Sequence, residues 1–154
     1  ARKAGLNDTG VVGAYIFYNL VYAAAAYPIG ILGDRIGLKR IFIVGMLLFA
    51  LTYAGFAAGG SLWVYYGLFF LYGLYAAATE GVSKAWISNI IPKQDVATAI
   101  GTYSAFQSIC ALVASSLAGL LWFGFGAAVA FTASAVAVVV TAIYMARVPY
   151  VAHR

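Results

Sequence analysis

Glu80 and Lys84 are the residues of this sequence best suited to chemistry, because they are ionisable groups inside a long apolar run. They lie four residues apart, and in a helix that spacing places both side chains on one face. A charge at such depth costs roughly 2.5–3.5 kcal/mol on insertion scales, so Glu80 is expected to face protein or a wet cavity. There it could bind a proton or contact a cationic solute. The alternative is a structural ion pair, with Lys84 reaching toward lipid headgroups.

A second chemical signal is the segment Gly30–Arg40, which reads GILGDRIGLKR and includes a short charged loop, residues 33–40, between two apolar runs. The Asp34 carboxylate can accept hydrogen bonds from nearby backbone N–H groups or from Arg35, or face the N-terminus of a neighbouring helix. Gly37 allows a backbone angle that other residues avoid, which favours a tight turn at this point. The segment therefore predicts a helix end, an acid–base pair and the basic start of another helix.

Polar side chains within the apolar runs form three further groups. Amide and phenol groups in hydrocarbon need partners, so the helix faces that carry them are expected to point inward. These faces hold Tyr15, Asn19 and Tyr22 in the first run, Tyr72, Thr79 and Ser83 in the third, and Tyr103 and Gln107 in the fourth. They are candidates for facing a solute, whereas bonding between helices is the alternative for Asn19 and Gln107. Many other tyrosines lie near the ends of runs, where they suit the aromatic belt of a membrane interface.

The elements that must position these groups are membrane-spanning helices. The chain has 154 residues, of which 65% are apolar and 8% charged, far fewer charges than the surface of a soluble domain needs. A helix needs roughly 20 apolar residues to cross the hydrocarbon core. Five runs are long enough, and they cover about residues 9–32, 41–58, 62–91, 96–123 and 126–146. The sequence therefore predicts an all-α integral membrane bundle of about five transmembrane helices. Pro28 is expected to bend the first, and the short link at residues 124–126 requires the last two to form a hairpin.

Several classes of site are excluded by the same residues. The net charge of +5 comes from basic residues scattered between apolar runs, which does not indicate a nucleic-acid partner. Cys110 is the single cysteine and is predicted to be a small buried apolar side chain, while His153 has no second ligand nearby. We find no metal site, no cofactor fingerprint and no nucleophile–base pair, so no cofactor and no enzyme activity are expected.

The basic residues predict the orientation of the bundle. Lys and Arg concentrate on the cytoplasmic side of membrane proteins. If the spans alternate, six of these residues lie on one side and two, Arg2 and Lys3, lie on the other. Residues 1–8 are therefore expected to be an extracytoplasmic lead-in, and residues 147–154 a cytoplasmic tail.

The loop segment resembles the loop motif of the major facilitator superfamily, Gly-x-Leu-Gly-Asp-Arg-x-Gly followed by basic residues. The residues that match the motif are Gly30, Leu32, Gly33, Asp34, Arg35, Gly37 and Lys39. Leu38 departs from it, because a basic residue is frequent at this position, and Arg40 supplies a basic residue nearby. Residues 79–92, continued by 97–103, are similar to the passage from helix ten to helix eleven in bacterial members. The resemblance implies that the five spans are helices eight to twelve of the C-terminal half. The partner would be an N-terminal half outside this sequence.

The same resemblance implies a function. It predicts secondary active transport of a small solute by alternating access in a bacterial inner membrane. Proton coupling is a separate expectation, which rests on Glu80 and Lys84 themselves. Asp34 and Arg35 would stabilise one of the two transport states through contacts between the halves, or else only set a turn and the topology. An uncoupled facilitator and a non-transporting membrane scaffold are the alternative functions.

Overall fold

The chain forms a bundle of five long α-helices in a computed structural model, which describes residues 8–148. Residues 1–7 and 149–154 lie outside the described part. Each helix is long and apolar enough to cross a membrane, and residues 8–148 contain no strand. The prediction of an all-α bundle of about five spans is therefore confirmed. The helices are α1 (Asp8–Ile36), α2 (Leu38–Ala58), α3 (Leu62–Ile90), α4 (Val96–Phe125) and α5 (Ala127–Arg147).

The connection between α1 and α2 is a single residue, Gly37, whereas the sequence predicts a charged loop over residues 33–40. Helical hydrogen bonding reaches the turn from both sides. The Gly37 N–H donates to the Gly33 carbonyl at 2.9 Å, and the Gly37 carbonyl accepts the N–H of Ile41 at 3.3 Å. Gly37 itself has φ +100°, a left-handed conformation that side chains with a Cβ rarely adopt. The charged motif residues consequently lie on two helix ends rather than on a loop.

The helices pack in the order α1, α3, α2, α5, α4. α3 lies between α1 and α2, and α2 also packs along α5. α4 contacts α5 and, less extensively, α3. Gly126 alone joins α4 to α5, yet α5 packs more extensively on α2 than on its hairpin neighbour. Pro28 lies inside α1, which continues past it to Ile36.

The interior of the bundle is built mainly from alanine, which lets helix backbones approach closely. α1 and α3 approach each other closely at Gly73. A Cβ added to Gly73 would lie 2.8 Å from the Val21 Cβ and 3.0 Å from the Tyr18 carbonyl oxygen. Glycine at this position therefore brings the two helices that carry most of the candidate residues into direct contact.

α4 is the peripheral helix of the described bundle and has no buried residue. Cys110 is exposed on it, so the prediction of a buried Cys110 is wrong. The cause is that α4 contacts its neighbours along only one side, and the position of Cys110 within an apolar run does not reveal which side that is.

Hydroxyl groups inside the spans bond mostly to their own helix. Thr52, the most deeply buried side chain, donates to the Leu48 carbonyl at 2.8 Å. Ser134 on α5 and Thr102 on α4 make the same bond one turn back along their helices. This pattern satisfies hydroxyl donors in hydrocarbon without a partner on another helix.

Candidate functional site

The centre of the candidate site is a polar contact between α1 and α3. The Tyr22 side chain on α1 lies beside the Glu80 carboxylate on α3, within reach of a hydrogen bond, and Glu80 itself is exposed. Glu80 follows Gly73 by seven residues, or about 10 Å of helix rise, so this contact lies two turns from the close approach of the helices at Gly73. An O–H donor offsets part of the cost of holding a carboxylate within a span.

Three more tyrosines extend this contact along the α1–α3 interface. The Tyr18 ring centroid lies 5.2 Å from that of Tyr72, and the Tyr72 centroid lies 5.3 Å from that of Tyr75. Glu80 is close enough to interact electrostatically with the hydroxyls of all three. We call Tyr18, Tyr22, Tyr72 and Tyr75 the tyrosine cluster. It brings four phenol groups from two helices within electrostatic range of one carboxylate.

The ring contacts continue from the tyrosine cluster into the other helices. Tyr75 meets Phe49 of α2 edge-on at 4.8 Å, and Phe49 stacks on Tyr53 at 3.9 Å. Tyr53 then contacts Phe131 of α5 at 5.4 Å, and Phe131 contacts Trp122 of α4 at 5.6 Å. Edge-on and offset ring pairs are favourable beyond the area they bury. A continuous aromatic series therefore connects the candidate site to all five helices.

A cavity of about 260 Å³ adjoins the Tyr22–Glu80 contact. Tyr22 and Asp34 line it from α1, together with the small residues Ala26 and Gly30, and Gly81 lines it from α3. Along α1, the cavity lining extends from Tyr22, which lies beside Glu80, to Asp34 of the loop motif. The structure thus brings together two groups of residues that the sequence presents separately.

The loop motif lies at the end of the bundle where α1 ends, α2 begins and α5 ends. Asp34, Arg35 and Arg40 are exposed there, while Gly33 is buried. The Lys39 ammonium donates a hydrogen bond to the carbonyl of Val148, directly after α5. This contact joins positions 109 residues apart and ties the start of α2 to the end of α5.

The other candidate residues of α1 and α3 take several positions. Tyr15 is 64% exposed, and its ring centroid lies 5.7 Å from that of Tyr18. The Asn19 amide donates to the Tyr15 carbonyl at 2.8 Å, within its own helix. Thr79 is buried, with its hydroxyl bonded to the Tyr75 carbonyl at 2.9 Å, and Ser83 donates in turn to the Thr79 carbonyl. Their polar atoms are thus satisfied within one helix.

The remaining candidates lie farther from the tyrosine cluster. Lys84 is exposed one turn beyond Glu80 on α3. On α4, Tyr103 is half-buried and Gln107 is exposed. Within residues 8–148, neither of these two makes a ring contact or side-chain hydrogen bond with the cluster, because α4 packs mainly on α5.

Sequence reasoning does not identify Tyr18 and Tyr75 as parts of the site. A signal for them does exist, since Tyr18 lies one turn before Tyr22, and Tyr75 lies three residues after Tyr72. That spacing predicts two tyrosine pairs, each on one helix face. It does not reveal that the two faces meet.

The loop motif and the five-span bundle agree with the comparison to known families. The sequence profile of the Major Facilitator Superfamily matches residues 3–153, almost the whole chain. The chain belongs to this family. The resemblance drawn from the loop motif is confirmed, and with it the assignment of the chain to a family of membrane transporters.

Curated members of the Major Facilitator Superfamily align with much of the chain. An MFS-type transporter of Methanocaldococcus jannaschii is 36% identical over 111 residues, covering 72% of this chain and 28% of that protein. The drug efflux pump JefA of Mycobacterium tuberculosis is 32% identical over 120 residues, covering 77% of this chain and 24% of the pump. An MFS-type transporter of Bacillus subtilis is 34% identical over 90 residues, covering 53% and 22%. The chain thus spans about a quarter of the length of these relatives.

Proposed function

We propose that this chain is part of a secondary transporter that moves a small solute by alternating access, with Glu80 as the proton-coupling group. The observation that carries the proposal is the contact between Tyr22 and Glu80, which joins α1 to α3 beside a cavity. Ionised Glu80 is a strong acceptor, so the contact is strongest in the deprotonated state. Protonation weakens it and removes a charge from the span, and the two states thereby favour different helix arrangements.

Lys84 is the second ion-coupling candidate in this proposal. It follows Glu80 by one helical turn and is exposed. At that spacing the two side chains share one helix face, so the Lys84 ammonium can pair with the Glu80 carboxylate. In this proposal the pairing exists in one state of the transport cycle and ends when Glu80 binds a proton.

In this proposal the loop motif takes part in the change between the two transport states. Asp34 lines the same cavity as Tyr22, so the motif and the coupling group share one space. Asp34 and Arg35, held at the Gly37 turn, would contact the other half of the transporter in one of its two states. The candidate solute-facing residues keep that role here, and among them Tyr22 and Tyr72 interact electrostatically with Glu80 from α1 and α3.

The whole transporter extends beyond this chain in our proposal. Because the chain spans about a quarter of its relatives, an N-terminal half of the same protein would complete the transport path. We place the chain as the C-terminal half, in a bacterial inner membrane, without catalytic activity or cofactor. Residues 1–8 would lie outside the cytoplasm and residues 147–154 inside it. Residues 1–7 and 149–154 are outside the described structure.

Transport by the full gene product reconstituted into liposomes tests the coupling. A solute panel is first screened for uptake driven by an imposed proton gradient. Glu80→Gln is expected to abolish proton-driven uptake while keeping downhill exchange, because glutamine cannot release a proton. Proton-driven uptake that survives in Glu80→Gln identifies another coupling group. Uptake that never responds to a proton gradient identifies a facilitator, and no uptake of any solute favours a scaffold.

A substitution at Asp34 tests whether the loop motif takes part in gating. Asp34→Asn removes the charge at the end of α1 and keeps the side chain's shape. It is expected to lower the transport rate about tenfold while membrane insertion stays the same, since a state-dependent contact affects only the cycle. An equal loss of transport and insertion would show that the motif only sets the turn and the topology.

A further inference from the structure

We propose that Leu38 is an apolar gate residue, whose side chain keeps water out of the cavity at the end of the bundle where α1 ends and α2 begins. Leu38 is the position at which this chain departs from the loop motif, since a basic residue is frequent there. The inference goes beyond the proposed transport function, because it assigns a role to one residue of the cavity whatever solute the protein moves.

The Leu38 side chain lies where three helices meet. Leu38 is the first residue of α2, directly after the turn from α1. Its Cδ2 atom lies 3.0 Å from the position that a Cβ on Gly33 would take, so the side chain reaches across to α1. It also packs against the buried cluster that Ile41 of α2 forms with Ala78 and Val82 of α3. These contacts hold the leucine side chain at the junction of α1, α2 and α3.

The cavity extends to this junction. On α1 its lining runs from Tyr22 to Asp34, about 18 Å of helix rise, so it leads from the middle of the span to the end of the helix. Asp34 is exposed there, and Leu38 and Ala85 line the same end from α2 and α3. Among the described lining residues Leu38 is the largest aliphatic one, since the others are alanine, glycine and one valine. It is therefore the side chain best placed to narrow the opening.

The chemistry of leucine suits the exclusion of water. A basic side chain at this position would bring a charge, and the water that hydrates it, next to the Asp34 carboxylate. Leucine has no polar atom, and a narrow space bounded by apolar groups stays dry unless it offers hydrogen-bond partners. The alanines and glycines that form most of the described lining offer no polar side chain to water. Leu38 thus places an apolar barrier between the exposed carboxylate and the interior of the cavity.

The reactivity of a cysteine inside the cavity tests the proposal. Ala77 lines the cavity and is 4% exposed, so Ala77→Cys reports on water there when the full gene product, with Cys110→Ala, is held in lipid nanodiscs. Charged methanethiosulfonates react with the thiol only where water reaches it, and using both a cationic and an anionic reagent separates access from attraction to nearby charges. Labelling is expected to be slow with Leu38 in place and about tenfold faster in Leu38→Ala with both reagents, because the opening widens.

Two further substitutions separate the size of the Leu38 side chain from its polarity. Leu38→Met keeps the volume and the apolar character, so labelling of Ala77→Cys should remain slow. Leu38→Lys has a longer side chain, yet it should speed labelling with both reagents, because its ammonium group stays hydrated and carries water to the opening.

Ala50→Cys is the matched control for these variants. Ala50 is on α2 and 6% exposed, and it is not among the described residues that line the cavity. Its labelling should stay slow in every Leu38 variant. A parallel increase at Ala50→Cys and Ala77→Cys would show that the whole bundle loosens, and it would overturn the inference.

Two other results would also overturn the gate: fast labelling of Ala77→Cys with Leu38 in place, or equally slow labelling in Leu38→Ala and Leu38→Lys. Labelling requires no transport, so the two proposals fail separately. Leu38-dependent labelling in a protein that moves no solute would support the gate and contradict the proposed function. Glu80-dependent transport with labelling that ignores Leu38 would do the reverse.

Discussion

At Gly73, one missing methyl group determines how closely α1 and α3 can pack. A Cβ at this position would overlap the Val21 side chain and press on the Tyr18 backbone. The Tyr18–Tyr72 ring contact lies beside this crossing, and the Tyr22–Glu80 contact lies farther along the same interface. Helix separation and site geometry are therefore coupled at this residue.

The substitution Gly73→Ala is expected to destabilise the protein by about 1–3 kcal/mol, the usual cost of forcing extra atoms into a packed interior. Thermal unfolding in detergent measures the loss. Gly67→Ala is the control on the same helix, because nothing lies within 4 Å of its added Cβ. There, alanine should leave stability unchanged or raise it, since glycine is a poor helix former. Equal effects at the two positions would contradict the close approach.

Residue-level orientation is what the sequence could not predict. Tyr15, Asn19 and Tyr22 share a helical face by spacing, yet Tyr18 makes the ring contact with α3 while Tyr15 is largely exposed. In a soluble helix, an apolar stripe would show which face is buried. In a membrane, the lipid-facing side is as apolar as the packed side, so the stripe is absent and the tyrosine cluster emerges only from the packing.

At the scale of elements, the helices were predictable because length and hydropathy alone specify a span. In the structure, α2 ends at Ala58 and α3 begins at Leu62, on either side of a three-residue connection. The structure differs from the prediction at the loop motif because charged residues interrupt an apolar run without ending a helix. In the structure, Asp34 and Arg35 continue α1, Lys39 and Arg40 are in the first turn of α2, and only Gly37 leaves the helical conformation.

Lys39 belongs to α2 and also contacts the end of α5. Its ammonium group caps the carbonyl of Val148, so Lys39→Met is expected to loosen the end of α5. The amides of the last turn of α5 should exchange with solvent roughly two- to tenfold faster, matching the loss of one exposed hydrogen bond. Hydrogen exchange with mass spectrometry measures this. Arg40→Met is the matched control on the same turn of α2, and similar exchange in both variants would contradict the contact.

At the scale of the whole molecule, buried residues are distributed unevenly among the helices. α2 and α3 carry most of the buried residues, whereas α4 has none in the described structure. Tyr103 and Gln107, the two solute-facing candidates on α4, therefore remain apart from the tyrosine cluster. Sequence spacing relates positions along one helix, but the distance between helices depends on which ones pack together.

The orientation of the bundle can be tested with single cysteines in a Cys110→Ala background. Ser61→Cys is in the α2–α3 connection and Lys93→Cys is in the α3–α4 connection, both at exposed positions. In intact cells, a maleimide that cannot cross the membrane should label Ser61→Cys only. Lys93→Cys should require permeabilised cells, because basic residues favour the cytoplasmic side. The reverse labelling pattern would invert the proposed topology.

The tryptophans give the protein an intrinsic optical reporter of helix movement. Trp86 on α3 has its ring centroid 6.4 Å from that of Phe42 on α2, and Trp122 on α4 meets Phe131 on α5. Trp63 instead contacts Tyr66 within α3 itself. Indole emission depends on the groups around the ring. Sliding of α2 past α3 would therefore change the fluorescence of Trp86, and sliding of α4 past α5 would change that of Trp122. Trp63 would keep its emission in both cases and serve as an internal reference.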